Sequence, residues 1–298
     1  MISKYKIMRG MLKRKFARDI AFSFSKKINN KKYKKFINQK RNDIRTSIFS
    51  ANESTIKKTV NEVNQHGATL GLQLPESFVD YVYSYALNNP VFADREPDKG
   101  FYIHQLSKAK EVLQKDILLA QYFNILEDHT IRSIAEDPYL QLTAAEYLKS
   151  KPKLMGANPW WTFPSKPSNE DRNRHAHVYH YDLDDIKFIK FFIYITDVDM
   201  QAGPHIFVKG SNRNIRYKNS IVKSIRFSDK DILDWYGSEN IITVTGPAGS
   251  TLIEDTITIH KGSTPISKPR LLLQFEFGIN QYPEVSCECA KELQKFII

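Results

Sequence analysis

The stretch HAHVYHYDLDDIKFIKFFIYI, residues 175–195, sets three histidines and three aspartates directly ahead of a dense apolar run. The run alternates β-branched and aromatic residues over too short a length for a typical helix, which predicts a buried β-strand. Only His180 has a carboxylate two residues on, in His180-Tyr181-Asp182. On an extended chain, residues i and i+2 point to the same face, so His180 and Asp182 project together while Tyr179 and Tyr181 point away. A histidine and a carboxylate on one face are two-thirds of the two-histidine, one-carboxylate set that holds Fe(II) and leaves positions open. Taken alone, the pair also fits a surface histidine beside an ordinary aspartate. His175 and His177 share a face too, without a following glutamate to complete a cupin-type cluster.

Working outward, short segments rich in β-branched and aromatic residues recur from about residue 151. They include PKLMGANPWWTF, HIFVKG, IITVTG, STLIEDT and RLLLQFEFG, punctuated by Gly-Pro and Gly-Ser pairs. Residues 51–150 read as mainly helical, with LPESFVDYVYSYALNN opened by Pro75 and SKAKEVLQKDILLAQYFNILEDHTIRSIAED continuing in the same style. Helices first and strands second predict an α+β chain. Its residues 151–285 form a jelly-roll (cupin-like, double-stranded β-helix) barrel packed against N-terminal helices. Residues 51–298 are expected to form one catalytic domain behind a separate extension, residues 1–50.

That extension carries 16 Lys and Arg against two Asp, a net +14, so the remaining 248 residues carry 28 basic and 31 acidic side chains, a net −3. A slightly acidic body argues against a specific nucleic-acid partner. Within the arm, Ile2, Tyr5, Met8, Leu12, Phe16 and Ile20 recur at helical spacing among lysines and arginines. The pattern suits peripheral contact of residues 1–40 with an anionic membrane surface, and equally a solvated extension without a role. A transit peptide fits less well, because such peptides favour Arg and Ser over Lys. No apolar run approaches a membrane span and no secretory leader is evident, while Cys287 and Cys289 read as reduced thiols. A cytoplasmic location, compatible with peripheral membrane contact, is therefore expected.

The third metal ligand is expected on a later strand, where TLIEDTITIHKGSTPISKPRLLLQFEF offers His260 and, ten residues on, Arg270. An iron oxygenase that uses 2-oxoglutarate needs a guanidinium for the distal carboxylate of that co-substrate, and arginine binds a carboxylate with two parallel hydrogen bonds. In RLLLQFEF, Arg270, Leu272, Gln274 and Glu276 share one face and Leu271, Leu273, Phe275 and Phe277 the other. If Arg270 points inward, Gln274 and Glu276 follow it.

The segment HYDLDDIKFIKFFIYITDVDMQAGPHIFVKGSN resembles the core of the phytanoyl-CoA dioxygenase family, with H-x-D, Asp197-Val198-Asp199, Gly203-Pro204 and Gly210-Ser211-Asn212 in order. Asn212 stands where that family usually has histidine. GPAGSTLIEDTITIHKGSTPISKPRLLLQFEFG is similar to the family's closing D…H-x-G…R pattern, and the likeness spans about residues 140–280. It implies an Fe(II)/2-oxoglutarate-dependent dioxygenase with iron on His180, Asp182 and His260 and 2-oxoglutarate on Arg270, helped by Ser263 or Thr264. It also implies that O2 and 2-oxoglutarate are consumed with release of succinate and CO2. Halogenases related to the family lack the carboxylate ligand, so Asp182 favours hydroxylation. A small-molecule or lipid- or CoA-linked substrate is expected, contacted by Trp160, Trp161, His177 and Gln274. His175 and His177 are placed at the pocket mouth. The alternative is a non-catalytic jelly-roll binder with a vestigial metal site, which an intact set of four residues disfavours.

Overall fold

The computed structural model describes residues 3–217 and 225–298; Ile2 of the predicted amphipathic pattern lies outside them. The arm forms α1 (Lys4–Leu12) and α2 (Lys15–Lys40). Next come α3 (Glu53–His66), α4 (Glu76–Asn88), α5 (Leu106–Leu113), α6 (His129–Ala135) and α7 (Pro138–Leu148). Their ends are set locally. Asn52 caps α3 by accepting from Thr55 N at 3.0 Å, and Gly67 ends it at φ 90°, a left-handed conformation that suits glycine. A side chain at Gly67 would also strike Thr258. Asp137 caps α7, whose first residue is Pro138, where the missing N–H costs nothing.

The helical half also contributes four short strands: β1 (Ala68–Leu70), β2 (Val91–Ala93), β3 (Gly100–Phe101) and β4 (Leu119–Gln121). Local periodicity alone places Leu119–Gln121 in a helical stretch. Sheet pairing overrides that local preference, because β4 binds the edge of the next strand, β5 (Lys153–Thr162). The remaining strands are β6 (Tyr179–His180), β7 (Phe188–Tyr194), β8 (His205–Val208), β9 (Arg226–Phe227), β10 (Ile241–Val244), β11 (Thr251–Glu254), β12 (His260–Gly262) and β13 (Arg270–Gly278).

They form two antiparallel sheets in the layout of a jelly roll, without closing into a barrel. The larger has the order β1-β11-β7-β13-β5-β4-β2-β3 and the smaller β10-β8-β12-β6-β9. The central strands of the larger sheet obey period two. Leu271, Leu273, Phe275 and Phe277 of β13, with Ile189, Phe191 and Ile193 of β7, pack on the helices around Leu140, Ala144 and Leu148 of α7. Their alternate residues face the smaller sheet and line a pocket between the two. The chain end closes the far edge: Ile297 N donates to Gly100 O at 2.9 Å and Gly100 N to Lys295 O at 2.8 Å.

Helices α1 and α2 do not continue one stripe. A break at Lys13 and Arg14, the latter extended at φ −96° and ψ 124°, resets the register between them. Met8 and Leu12 are therefore buried against the body, while Phe16 and Ile20 turn to solvent. Arg18 anchors the junction by donating to Leu12 O at 2.8 Å. Among the described residues, no helix is long and apolar enough to cross a membrane.

Candidate metal and co-substrate site

Antiparallel pairing of β6 with β12 puts His180 directly opposite His260, with ring centroids 4.3 Å apart. Each Nδ1 lies near a backbone carbonyl, Val178 O at 2.9 Å and Thr258 O at 2.8 Å. A proton on Nδ1 satisfies those carbonyls and leaves both Nε2 lone pairs free, the tautomer a metal requires. The two Nε2 atoms face one carboxylate: His180 Nε2 is 3.6 Å from Asp182 Oδ1 and His260 Nε2 is 3.7 Å from Asp182 Oδ2. Among the described residues these three form the group that could hold a metal ion, with ligand atoms all within 4.8 Å of one another. Burial, then the neighbouring His260, pulls the His180 pKa down to about 3, so its imidazole is neutral across the physiological range.

Lys190 holds the carboxylate in place. Its Nζ is 2.9 Å from Asp182 Oδ2, 3.0 Å from Asp184 Oδ2 and 3.4 Å from Glu276 Oε2. Burial opposes charge on both partners. The Lys190 ammonium and then the two histidines outweigh it at Asp182, holding its carboxyl well below the usual range. The three carboxylates likewise hold the Lys190 ammonium charged. A lysine in the middle of FIKFFIYI was the one sequence signal for this cluster, because an apolar strand buried on both faces has no other use for an ammonium.

Arg270 is buried at the start of β13. It donates to Gly203 O and, at 3.4 Å, to Thr162 Oγ1, while its Nε is buried with no partner among the described residues. An orphaned guanidinium N–H facing a pocket fits a carboxylate ligand. Neither Ser263 nor Thr264 forms a hydrogen bond to Arg270. Thr264 Oγ1 is instead 2.9 Å from His177 Nδ1, and Ser263 N donates to Pro204 O at 3.0 Å. The nearby hydroxyl comes from Thr162, across the β5–β13 ladder.

The pocket also takes in Trp160, His175, His177, Gln274 and Glu276. Trp161, one residue on, lies on the other face of β5: it stacks on Phe163 at 6.0 Å and donates to Tyr122 Oη at 3.0 Å. His175 and His177 are buried rather than exposed at a mouth, because Asp94 Oδ1 takes His175 Nε2 at 3.2 Å and Thr264 takes His177. Residues the sequence reading did not assign complete the lining. Tyr5 reaches in from α1, donating to Asp184 Oδ1 at 2.8 Å, so the N-terminal arm forms part of the pocket wall. Gln121 and Asn158 lie 3.3 Å apart on β4 and β5, and Gln274 Nε2 donates to Asn158 Oδ1 at 3.4 Å. His205 stacks on His260 with centroids 5.4 Å apart, its Nε2 2.8 Å from Glu254 Oε2 but too far off-line to make a hydrogen bond.

Two facing histidines, one carboxylate and an inward arginine between the sheets of a jelly roll define an iron- and 2-oxoglutarate-dependent oxygenase. The chain belongs to the phytanoyl-CoA dioxygenase (PhyH) family, whose model matches residues 96–269. Its fold is similar to that of SnoN, the non-heme α-ketoglutarate-dependent epimerase of nogalamycin biosynthesis. The two share 14% identity and a TM-score of 0.52 over 76% of this chain and 83% of that one. EctD from S. alaskensis, crystallised with iron, gives 13%, 0.51, 80% and 82% in the same terms. HygX from Streptomyces hygroscopicus, crystallised with nickel, 2-oxoglutarate and hygromycin B, gives 13%, 0.50, 74% and 86%. At such identity the likeness establishes the fold. No curated protein matches the chain in sequence.

Two outcomes follow from the buried charges. Lys190→Met leaves Asp182, Asp184 and Glu276 without their shared cation, so Fe(II) or Co(II) affinity is expected to fall about 10- to 100-fold in a metal titration. An unchanged affinity would show that Lys190 does not orient Asp182. Burial raises the Glu254 pKa to about 8 from 4.5, so the contribution of its neutral carboxyl is complete below pH 4.5 and lost as pH rises through about 8. Glu254→Gln, neutral throughout, should flatten the decline in melting temperature of the metal-free protein over that window; parallel profiles for the two proteins would contradict this.

Proposed function

We propose that this chain hydroxylates an unactivated C–H bond of a small molecule, coupled to conversion of 2-oxoglutarate and O2 to succinate and CO2. Iron is held by His180, Asp182 and His260, and the distal carboxylate of 2-oxoglutarate by Arg270. The observation that carries the reading is one pocket holding both a ligand trio aimed at a common point and a buried guanidinium with an orphaned N–H. The bound iron and co-substrate supply the oxidising chemistry. The protein's share is positional. Val178 O and Thr258 O set the histidine tautomers, Lys190 keeps Asp182 ionised, and Trp160, His177 and Gln274 are placed to contact substrate. An intact Asp182 carboxylate favours hydroxylation over halogenation, because no ligand position is vacated for a halide.

We also propose that α2 rests on an anionic lipid surface. Its body-facing side is used by Arg18, Phe22 and Phe36. Its opposite side nonetheless carries Phe16, Ile20, Phe24 and Ile28, one per turn, at 76%, 53%, 68% and 66% exposure. Solvent alone gives no reason for four large apolar side chains in a row. At about 100° per residue, Lys27 and Lys31 fall within the same stripe, and Lys34 and Lys35 extend it. Each such lysine contributes about 1 kcal/mol at an anionic leaflet. A second copy of the chain is the poorer occupant, since its arm carries the same +14 charge.

Adding Fe(II) and 2-oxoglutarate without oxygen should produce the visible charge-transfer band of a chelated keto acid. The band should be lost in His180→Ala and weakened in Arg270→Ala; its absence from folded wild type would overturn the oxygenase assignment. For the arm, flotation with phosphatidylserine-containing vesicles should recover the wild type but not Phe16→Ser/Phe24→Ser, and the binding should weaken with salt. Equal recovery of both proteins, or a concentration-dependent dimer that the same double variant abolishes, would remove the lipid proposal.

A further inference from the structure

The cations facing the pocket are Lys190, Arg270 and Arg95. Lys190 is surrounded by three carboxylates, and Arg270 is held by Gly203 and Thr162 with its free N–H left for the co-substrate. Among the described residues, Arg95 forms no hydrogen bond and no ion pair. Its side chain lines the cavity while remaining exposed to solvent, and it lies near enough to Asp182 to feel that carboxylate's charge. A guanidinium is always charged and presents a planar fork of donors, so one that lines a pocket with no protein partner is free to take a carboxylate or phosphate there.

The backbone that presents it is equally specific. Glu96 N donates to Ala93 O at 3.0 Å, closing a turn after β2 whose two central residues, Asp94 and Arg95, have φ 57° and 64°. Turns with both central residues at positive φ favour Asn or Asp followed by Gly. Asp94 fits the first position; arginine at the second is strained where glycine would be relaxed. Ion pairs on both sides hold the turn in place. Asp94 pairs with Lys115 and lies 3.2 Å from His175, and Glu96 pairs with Arg174 at 3.1 Å and Lys99 at 2.6 Å. Strain at a pinned turn that aims a side chain into a pocket is the signature of a binding position, and Arg95 lies one residue outside the span matched by the family model.

We infer that Arg95 binds an oxyanion of the substrate, a carboxylate or a phosphate, and so restricts this enzyme to anionic small molecules. The inference rests on the proposed oxygenase function for its meaning, but Arg95 can be tested separately.

The test begins with protein loaded with Ni(II) and 2-oxoglutarate, the affinity of the latter being measured first by calorimetry. Inorganic phosphate and acetate are then titrated separately into wild type, Arg95→Gln and Arg95→Gly. At least one anion should bind wild type and bind either variant at least about tenfold more weakly, with 2-oxoglutarate affinity unchanged. Preference for phosphate would assign a phosphorylated substrate, and preference for acetate a carboxylate. Arg95→Gly should also raise the melting temperature by relaxing the turn, an effect that a purely structural arginine would not show. Binding of neither anion, equal binding by the variants, or an equal loss of 2-oxoglutarate affinity in Arg95→Gln would overturn the assignment. Failure of wild type to bind 2-oxoglutarate would count against the oxygenase function alone, because the same anion titrations on metal-free protein still decide the role of Arg95.

Discussion

A β-strand has two faces, and the central strands of the larger sheet have to satisfy different demands on each. On one face β7 and β13 must match the apolar sides of the helices, which they do with Ile189, Phe191, Ile193, Leu271, Leu273, Phe275 and Phe277. On the other they supply Lys190, Arg270, Gln274 and Glu276 to a polar pocket. A slip of one residue would exchange the two sets and bury charge against the helices, so the hydrophobic layer also sets the register of the chemistry. The antiparallel ladder then brings residues distant in sequence together: Leu272 pairs with both Trp160 and Tyr194, and Gln274 with both Asn158 and Phe192.

That pocket is expensive to build. Carboxylates, the Lys190 ammonium, two guanidiniums and five imidazoles lie within or beside it, and buried charge costs several kcal/mol per ion unless it is paired. The solution here is to share. Lys190 serves three carboxylates at once, Glu254 is held as the neutral acid, and burial keeps His180 and His205 as neutral bases. The arrangement leaves Asp182 as a charged candidate ligand beside the neutral imidazole of His180, a mixture a divalent metal takes well. Among the described residues, Arg270 Nε and the Arg95 guanidinium have no protein partner, and they are the positions proposed to take anions from outside.

The N-terminal arm has two jobs that sequence periodicity cannot separate. Tyr5, Met8 and Leu12 of α1 face the body, and Tyr5 enters the pocket wall, whereas Phe16, Ile20, Phe24 and Ile28 of α2 face away. The break at Lys13 and Arg14 makes this possible by rotating one helix relative to the other. An arm that closes the pocket with one helix and offers an apolar, basic ridge with the next ties the site to whatever surface the ridge meets.

Much of the candidate site was legible in local spacing. His180-x-Asp182 is an extended-chain pattern, and the alternation in RLLLQFEF places Arg270, Gln274 and Glu276 on one face without knowledge of their neighbours. The jelly roll followed in the same way from short, β-branched segments separated by turn residues. The short strands β1, β2, β3, β4, β9 and β12 were not legible, because each is two or three residues long and exists only through its partner's hydrogen bonds. The choice between Trp160 and Trp161 likewise awaited the sheet, since period two says that they point apart but not which side is the pocket. Local chain geometry, then, determined by itself which residues can share a face. Tertiary structure alone decided which buried groups find partners, because pairing depends on what the rest of the chain brings within about 3 Å. That is why Lys190, Thr162 and Arg95 acquired their places only in the folded protein.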